Sequence, residues 1–437
     1  MARRRRGASL NPAPPGAADL LERAHAALQQ LGGPAAATRG CYVPGRIEFL
    51  GKHTDYAGGR SLLCAVERGI RLVAAPRADG WVRIVDARSG EQVELELRTD
   101  LAPRPGHWST YPLTVARRIA RNFPGPPALR GADLAFASDL PPAAGMSSSS
   151  ALVVAVFTAL ADVNALERRP EYLANIRRPE DLAGYLGSVE NGRTFGTLPG
   201  DGGVGTFGGS EDHTAILCSQ SGMLRQYAFC PVRHERDVPF PAGWRLVIAV
   251  SGVAADKTGA AREGYNRAAA QAAAILVAWR RATARADPSL AAALASAPDA
   301  ADRMRLLVSG ALRLRLEQFL AESTEIIPAA AEVLARGDVA ALGPLVDRSQ
   351  KLAEGCLENQ IPETIGLARR ARELGAAAAS AFGAGFGGSV WALVREEEAP
   401  EFRVRWAEVY GQDFPTVALR AEFFVTGAGP GLGQVSM

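Results

Sequence analysis

The stretch that most constrains this chain is Asp139–Phe157, DLPPAAGMSSSSALVVAVF, in which a predicted strand runs into a turn of small residues and then an apolar helix. The small residues between Pro141 and Ser150 let a ligand approach the backbone closely. The first N–H groups of the helix lack intrahelical partners, and the helix dipole favours an anion there. A serine N-cap with nothing bound accounts for one serine, whereas this chain has four in a row. The stretch therefore predicts a phosphate-binding cradle.

The length and the order of the predicted elements set the fold class. With 437 residues, two domains are expected, and a hydrophobic content of 47% supplies an ordinary core. Strands and helices mix in the first half without regular βα alternation, which predicts an α+β fold rather than a doubly wound sheet. The Pro- and charge-rich stretch CPVRHERDVPFPAGW predicts a boundary near residues 230–245. We therefore assign residues 17–235 and 236–437 to two domains, after a basic tail over 1–16 that we expect to be disordered.

Charge and cysteine content limit which partners and which cellular compartment we expect. The net charge of +3 includes four consecutive arginines, Arg3–Arg6, and the rest of the chain is close to neutral. A nucleic-acid arm is conceivable, but no basic, aromatic-interleaved face follows the arginines, so we interpret them as a solvated tail and expect no nucleic-acid partner. We find no signal-peptide or membrane-span pattern and expect no membrane association. Five scattered cysteines without CxxC spacing argue against disulfides and zinc, so we expect a cytoplasmic protein.

Three glycine-rich stretches resemble other nucleotide motifs. GVGTFG at 203–208 and GAGFGG at 383–388 both fit GxGxxG, yet neither opens a βαβ unit with an acidic residue about 20 positions further on. GVAADKT at 252–258 is one residue short of a P-loop and has Asp256 in place of the second glycine. These patterns therefore indicate neither a dinucleotide-binding domain nor a Walker-type loop.

Two further stretches concentrate charged side chains beside glycines. GRIEFLGKHTDYAGG, residues 45–59, holds a lysine, a histidine and an aspartate within one turn of chain. GGSEDHTAIL, residues 208–217, places Glu211 and Asp212 after two glycines. An acid pair in a glycine-lined loop predicts a general base with a neighbour, and a charged surface turn is the alternative. The residues alone leave both interpretations open.

Together these stretches resemble the GHMP small-molecule kinases, and within them the galactokinases. GRIEFLGKHTDYAGG is similar to the family's sugar signature, LPPAAGMSSSSAL to its phosphate loop and GAGFGGSVWALV to its C-terminal motif, in the family's order over residues 40–430. The resemblance implies a two-domain α+β fold, with an N-terminal domain like ribosomal protein S5 domain 2, a ferredoxin-like C-terminal domain and the active site between them. It also implies phosphorylation of the anomeric (C1) hydroxyl of galactose or a galactose-like sugar by ATP with Mg²⁺.

The same resemblance implies roles at the sugar site. Asp212 matches the aspartate that approaches the phosphorylated hydroxyl, and Arg46 matches the arginine that faces it, so these two are the implied catalytic residues. His53 and Asp55 match contacts to sugar hydroxyls. The implied substrate-binding residues are Arg46, Lys52, His53, Asp55, Gly209, Asp212 and Tyr265.

The nucleotide side follows from the resemblance in the same way. Ser149 and Glu190 match the family's Mg²⁺ ligands, and both are hard oxygen donors. Trp108, in HWSTY, resembles the tryptophan beside the nucleotide base. The implied ATP-binding residues are Trp108, Pro142, Ala143, Ala144, Gly145, Met146, Ser147, Ser148, Ser149 and Ser150.

The chain departs from the family pattern in three places. Lys52 replaces a glutamate that contacts the C6 hydroxyl, ASAFGAGFGG lacks the arginine of the usual xRxTGAGFGG, and a glycine-rich insert after Glu190 could shift that residue out of register. An ammonium has three donors and no acceptor. One hypothesis is therefore a substrate altered at C6, such as galacturonate or arabinose. In the alternative, Lys52 points away from the sugar or pairs with Glu48 or Glu211.

Other functions stay open on the sequence. A sugar-sensing regulator would bind sugar and ATP without turnover, but the presence of Asp212 and Arg46 argues against it. Another GHMP enzyme, such as a mevalonate or homoserine kinase, is disfavoured by HTDY. We expect a monomer or weak homodimer whose partners are the sugar and ATP.

Overall fold

The computed structural model describes residues 17–32, 39–104, 106–255 and 262–435. The predicted basic tail, residues 1–16, lies outside this part of the chain. The described residues form two β-sheets with helices packed around them, which confirms the predicted α+β class. Within these ranges no helix is long and apolar enough to cross a bilayer.

Twelve strands are described. They are β1 (Arg39–Leu50), β2 (Arg60–Pro76), β3 (Trp81–Asp86), β4 (Gln92–Glu96), β5 (Ala132–Ser138), β6 (Met223–Ala228), β7 (Arg233–Pro239), β8 (Trp244–Val250), β9 (Ala378–Phe382), β10 (Ser389–Arg395), β11 (Glu422–Thr426) and β12 (Gly433–Val435). The long strands β1 and β2 pair antiparallel, from Arg39 opposite Ala74 to Leu50 opposite Leu62. This pair is the centre of the first sheet and supports the turn that follows β1.

The strands divide into an eight-stranded and a four-stranded sheet. The first has the order β12-β1-β2-β5-β3-β4, with β6 and β7 extending it beside β2, and β3 runs parallel to β5. The second is antiparallel, with the order β11-β8-β10-β9. The chain passes between the sheets over residues 240–243 and returns to the first sheet with β12. The proposed domain boundary after residue 235 therefore falls within β7, a few residues before this crossing.

Fifteen α-helices are described, joined by short 3-10 and π segments. They are α1 (Ala17–Gln30), α2 (Thr110–Asn122), α3 (Ser148–Val163), α4 (Pro170–Asn175), α5 (Pro179–Asn191), α6 (Glu211–Cys218), α7 (Arg262–Thr283), α8 (Leu290–Leu294), α9 (Ala300–Leu307), α10 (Gly310–Leu320), α11 (Ile327–Ala335), α12 (Val339–Leu352), α13 (Pro362–Glu373), α14 (Ala399–Asp413) and α15 (Pro415–Ala418). A 3-10 turn, Asp55–Ala57, follows β1.

Helix α3 is the buried helix of the N-terminal domain. Its apolar side chains are enclosed on nearly all sides, because β1, β2, α2 and α6 pack around it. A helix that is apolar all round is buried rather than laid on the surface. Each large apolar side chain buried there contributes about 1.5–3 kcal/mol. This burial fixes the position of the serines at the N-terminus of α3.

The second sheet joins the first through an aromatic stack. On one face, α13 and α14 cover the second sheet and bury Trp406 and Tyr410. On β10, Trp391 stacks on Phe49 of β1, with ring centroids 4.2 Å apart and planes 13° from parallel. The stack lies directly before the turn that begins at Gly51, so it fixes that turn against the C-terminal domain.

Candidate active site

The turn between β5 and α3 has the backbone shape of an anion cradle. Three of its residues have positive φ: Ala143 at 50°, Gly145 at 75° and Ser147 at 56°. Left-handed residues alternating along a turn direct successive N–H groups toward one point. The Ser147 hydroxyl is buried, with no hydrogen-bond partner among the described residues, and α3 begins at Ser148. The turn therefore offers N–H groups and a hydroxyl to an anion.

A cavity of about 360 Å³ opens in front of this turn, and we call it the donor cavity. Its opposite wall is aromatic: Trp108 contacts Phe136 edge to face, and Trp108 Nε1 donates to Glu91 Oε2 at 2.8 Å. The sequence-predicted residues that line it are Trp108, Pro142, Ala143, Gly145, Ser147, Ser148 and Ser149. The donor cavity thus combines an aromatic wall with an anion cradle, as a nucleotide requires.

Three predicted ATP-binding residues face elsewhere. Ala144 and Met146 are buried behind the turn, where the Met146 carbonyl accepts a hydrogen bond from the backbone N–H of Arg46 at 3.2 Å. Ser150 points the other way, and its Oγ donates to Asp212 Oδ2 at 3.4 Å. Residues 142–150 therefore do not all line the donor cavity, because Ala144 and Met146 lie behind it and Ser150 contacts Asp212.

The cradle turn is also held by the C-terminal domain. The Ala255 N–H donates to the Ala143 carbonyl at 2.8 Å, and Ser389 Oγ donates to the Ala144 carbonyl at 2.6 Å. Ala255 follows β8, and Ser389 begins β10. The donor cavity therefore depends on the junction of the two domains for its shape.

A second cavity, which we call the acceptor cavity, adjoins the cradle and centres on an arginine–aspartate pair. Arg46 Nε donates to Asp212 Oδ1 at 2.6 Å, and Arg46 Nη1 donates to the Gly145 carbonyl. The Arg46 side chain is 1% exposed and that of Asp212 is 13% exposed. Burial acts to lower the pKa of Arg46, but the charges of Asp212, Glu48 and Glu211 outweigh it and raise that pKa. One guanidinium therefore links the cradle to the predicted catalytic carboxylate.

The predicted sugar contacts gather around this pair. His53, Asp55, Gly209 and Tyr265 line the acceptor cavity together with Arg46 and Asp212. Asp55 Oδ2 accepts from the Glu211 N–H at 3.0 Å, and His53 Nε2 lies 3.0 Å from the Ala384 carbonyl oxygen. A Cβ on Gly209 would lie 2.3 Å from Asp55 Oδ2, so glycine is the residue that fits beside this carboxylate.

Glu190, the predicted metal ligand near the end of α5, also lines the acceptor cavity. The glycine-rich insert folds back onto the helix end: the Val204 N–H donates to the Glu190 carbonyl at 2.8 Å, and Gly192 is left-handed at φ 80°. Glu190 Oε1 lies 3.4 Å from His213 Nε2. The insert therefore leaves Glu190 in the same cavity as Asp212.

The two predicted metal ligands line different cavities, Ser149 the donor cavity and Glu190 the acceptor cavity. In the described part of the chain, no group of three or more His, Cys, Asp or Glu side chains could hold a metal ion. Mg²⁺ usually binds one or two protein oxygens and completes its coordination with phosphates and water. The residues present therefore fit a metal held mainly by a bound nucleotide.

Comparison with known proteins agrees with this geometry. The galactokinase galactose-binding signature matches residues 30–76, and the N-terminal and C-terminal GHMP kinase domains match 110–192 and 330–412. Galactokinase of Chloroflexus aggregans is 30% identical over 376 residues, which cover 84% of this chain and 86% of the relative. Galactokinase of Chloroflexus aurantiacus is 29% identical over 386 residues, 85% of this chain and 88% of the relative.

The chain belongs to the galactokinase family of GHMP kinases. It is thus a phosphotransferase with an alcohol group as acceptor. Its fold matches the crystal structure of Lactococcus lactis galactokinase complexed with galactose, with a TM-score of 0.79 and 22% identity over 95% of this chain and 100% of that one. Methanococcus jannaschii mevalonate kinase gives a TM-score of 0.56 at 13% identity, over 91% and 100% of the two chains. The predicted two-domain GHMP fold is confirmed.

Lys52 is the predicted sugar contact that this galactokinase-family fold places outside the acceptor cavity. Its side chain is fully buried and is not among the described residues that line that cavity. Its Nζ donates to Ser380 Oγ at 2.7 Å and to Ser349 Oγ at 3.1 Å, both in the C-terminal domain. The geometry agrees with the alternative in which Lys52 points away from the sugar. The hypothesis of a C6-altered substrate therefore loses the observation on which it depended.

Two departures from the galactokinase pattern are in contact. Ser380 occupies the position of the arginine in xRxTGAGFGG, so the contact between Lys52 and Ser380 joins both exchanged positions. Glu322 completes the cluster: its Oε1 accepts from Ser349 Oγ at 3.0 Å and from the Gly51 N–H at 2.9 Å. Relative to the galactokinase pattern, the positive charge lies at Lys52 instead of position 380, and the Glu322 carboxylate belongs to the same cluster. Lys52 is thus part of the packing at the domain junction.

Glu48, Tyr56 and Glu211 are not among the sugar contacts predicted from the sequence, yet all three line the acceptor cavity. One signal was available, because Arg46 and Glu48 are two positions apart on a strand and share a face. Burial raises the pKa of Glu48 to about 7. Burial, with the charges of Glu48 and Asp55, raises the pKa of Glu211 well above its ordinary value. The cavity therefore holds a carboxyl pair that the motifs do not predict.

Proposed function

We propose that this chain transfers the γ-phosphoryl group of ATP, bound with Mg²⁺, to the anomeric (C1) hydroxyl of galactose or a galactose-like sugar. One observation carries the proposal: the Arg46 guanidinium contacts Asp212 in the acceptor cavity and the Gly145 carbonyl in the phosphate loop. This contact supports a reaction centre at the junction of the two cavities.

In this proposal Asp212 acts on the acceptor hydroxyl. Its carboxylate accepts the hydroxyl hydrogen and directs the oxygen toward the phosphorus. It takes the proton as the new O–P bond forms and the bond from the γ-phosphorus to the β–γ bridging oxygen breaks, which releases ADP. The neighbouring Arg46 favours the ionised carboxylate. Ser150 Oγ, 3.4 Å from Asp212 Oδ2, donates to the other carboxylate oxygen and limits its rotation.

Arg46 and the cradle act on the phosphates. Phosphoryl transfer needs little covalent chemistry from the protein, so positioning and charge stabilisation supply most of the rate enhancement. The N-terminus of α3 and the cradle N–H groups hold the phosphate oxygens, and Arg46 stabilises charge on the transferred group. Ser149 and Glu190 would hold the Mg²⁺ of the bound nucleotide, and this ion would neutralise phosphate charge.

The relatives support the choice of sugar. The two Chloroflexus proteins are named galactokinases, and the Lactococcus lactis galactokinase structure is a complex with galactose. His53, Asp55 and Tyr265, which match the sugar contacts of the family, surround the acceptor cavity of this chain. The intact Arg46–Asp212 pair favours turnover over a sensing role.

A coupled ADP-release assay tests the proposal. With Mg-ATP, the panel holds galactose, galactosamine, arabinose, galacturonate, glucuronate, mevalonate and homoserine. We expect turnover on a sugar of the galactose series, and phosphorus NMR of the product should show coupling to the anomeric proton. Turnover on mevalonate or homoserine alone, or phosphate on another hydroxyl, would contradict it. Binding of sugar and ATP without ADP release would favour the sensing regulator.

A further inference from the structure

The acceptor cavity contains a buried carboxyl pair outside the catalytic motif. Glu48 on β1 is 3% exposed, and Glu211, the first residue of α6, is 6% exposed. The two carboxyl groups are within hydrogen-bonding reach of each other. Ser61 Oγ donates to Glu211 Oε2 at 2.5 Å, while Glu48 Oε1 is buried with no hydrogen-bond partner among the described residues. The pair therefore includes one carboxylate oxygen, at the cavity wall, that receives no hydrogen bond from a donor of the described residues.

Among the described lining residues, no lysine or arginine is paired with these two carboxyl groups. The described lining of the cavity has five carboxylic acids, and Arg46 is the single Lys or Arg among those lining residues. Arg46 is already committed to Asp212 and the Gly145 carbonyl. Lys52 lowers the pKa of Glu48 through its charge, but its ammonium donates to serines behind the cavity. Burial therefore keeps the pKa of both carboxyl groups raised, and a bound cation would favour their ionised forms.

The groups that a galactose-type sugar can carry differ in how they suit this pair. The carboxylate of a uronate would add a like charge to a buried acidic site, which is unfavourable. A hydroxyl can donate one hydrogen bond but cannot offset charge. An ammonium brings three donors and the missing positive charge. Among these groups, the ammonium is the one that satisfies both the acceptors and the charge.

The position of the pair indicates where that group lies on the sugar. Glu48 follows Arg46 by two residues on the same face of β1, and Glu211 directly precedes Asp212. Both carboxyl groups therefore flank the pair that handles the reacting hydroxyl. In a hexose phosphorylated at C1, the neighbouring substituent is on C2.

We propose that Glu48 and Glu211 bind an ammonium group next to the reacting hydroxyl, so that the acceptor is a 2-amino-2-deoxyhexose of the galactose series. This inference rests on the proposed function for the location of C1. In this proposal, Glu48 and Glu211 are the residues that determine which sugar binds in the acceptor cavity.

A kinetic comparison tests the proposal first. The ADP-release assay is run on galactosamine, galactose, N-acetylgalactosamine and galacturonate with the parent, Glu48→Gln and Glu211→Gln, and with Glu94→Gln on the exposed edge strand β4 as the matched control. We expect kcat/KM for galactosamine to exceed that for galactose and N-acetylgalactosamine by about tenfold or more, a difference of about 1.4 kcal/mol. Either cavity variant should reduce this preference at least about tenfold, mainly through KM for galactosamine, because a neutral amide does not bind the ammonium as a carboxylate does.

Calorimetry separates this inference from the proposed function. Sugar binding to the full chain with Mg-ADP is measured at pH ~6.5, where an amine with a pKa of about 8 is charged, in two buffers of different ionisation enthalpy. Galactosamine should bind with release of protons from the carboxyl pair, and Glu48→Gln/Glu211→Gln should abolish that release.

The outcomes are distinct. If no sugar is phosphorylated but galactosamine binds with proton release, the proposed function fails and the amine site stands. If galactose is preferred to galactosamine in both experiments, or if galactosamine binds without proton release, the amine site is refuted whether or not the chain is a kinase.

Discussion

The donor and acceptor cavities adjoin each other but are built in different ways. The donor cavity takes its anion cradle from the backbone of one contiguous segment, 141–149, with an aromatic wall opposite. The acceptor cavity is lined mostly by charged and polar side chains from β1, the turn after it, α5, α6, α7 and Gly383–Ala384. A backbone cradle recognises any phosphate, whereas separate side chains can change one at a time. We therefore expect acceptor specificity to depend on single side chains of the acceptor cavity.

The largest effect is expected from Asp212→Asn, which separates chemistry from donor binding. The amide cannot take the hydroxyl proton, so kcat should fall about 100-fold or more, at least about 2.7 kcal/mol of barrier, while the dissociation constant for Mg-ATP stays within about twofold. Single-turnover kinetics and nucleotide calorimetry measure the two quantities. A fall of less than about tenfold would show that Asp212 is not the key group. The remote, exposed Asp302→Asn is the control.

Lys52→Glu tests whether the exchanged charge behind the acceptor cavity is structural. A glutamate at this buried position, near Glu322 and Glu48, should lower the free energy of unfolding by about 3–5 kcal/mol. Adding Ser380→Arg restores the family combination and should recover at least half of the loss. Urea unfolding measures both, with the exposed Lys351→Glu as the matched control. If Lys52→Glu is as stable as the parent and alters the ranking of the sugars instead, Lys52 is a specificity residue.

Two glycines of the loop before α6 give a matched pair within the acceptor side. A Cβ on Gly209 would lie 2.3 Å from Asp55 Oδ2, whereas a Cβ on Gly202 meets nothing within 4 Å. Gly209→Ala should raise KM for the sugar about tenfold or more, since displacing Asp55 misplaces a sugar contact, with KM for ATP nearly unchanged. Gly202→Ala should leave both values near those of the parent. Equal effects of the two substitutions would contradict the close packing at Gly209.

The carboxyl pair should make stability depend on pH. Because the folded-state pKa of Glu48 is raised to about 7, the folded protein holds a proton that the unfolded chain releases at lower pH. The stability from this proton is complete below the unfolded pKa and is lost as pH rises through about 7, despite the nearby Lys52 and Arg46. Glu48→Gln removes this loss, so its melting temperature relative to the parent should increase between pH ~5 and ~8. A difference that does not vary with pH would contradict the raised pKa.

The smallest effect is expected from a substitution in the aromatic wall of the donor cavity. Trp108→Ala removes one aromatic surface and the donor to Glu91, which should raise KM for ATP by about threefold to tenfold, or about 1 kcal/mol. KM for the sugar should not change. Trp81→Ala, at a tryptophan that is 41% exposed, is the control. If KM for the sugar rises as much as KM for ATP, the two cavities are not independent.

The sequence predicted the strand, the turn and the helix beside the donor cavity because the features of that motif are local. A strand, a turn of small residues and an apolar helix that starts among the serines follow from neighbouring residues, and all three are present, although the Ser147 side chain makes no capping hydrogen bond. It also predicted the α+β class and the GHMP fold, and it brought the Arg46–Asp212 pair together from positions 166 residues apart, through the family resemblance. The local pattern did not show that Ala144, Met146 and Ser150 face away from the donor cavity.

The tertiary structure alone decided the direction of Lys52 and the role of its neighbours. The Lys52 partners, Ser349 and Ser380, are 297 and 328 residues further along the chain, so no local pattern places them beside the turn. The proximity of Glu48 to Glu211 likewise arises only when α6 packs against β1. A buried charge takes its direction and its pKa from the groups that the fold brings to it, whereas a backbone motif carries its own geometry.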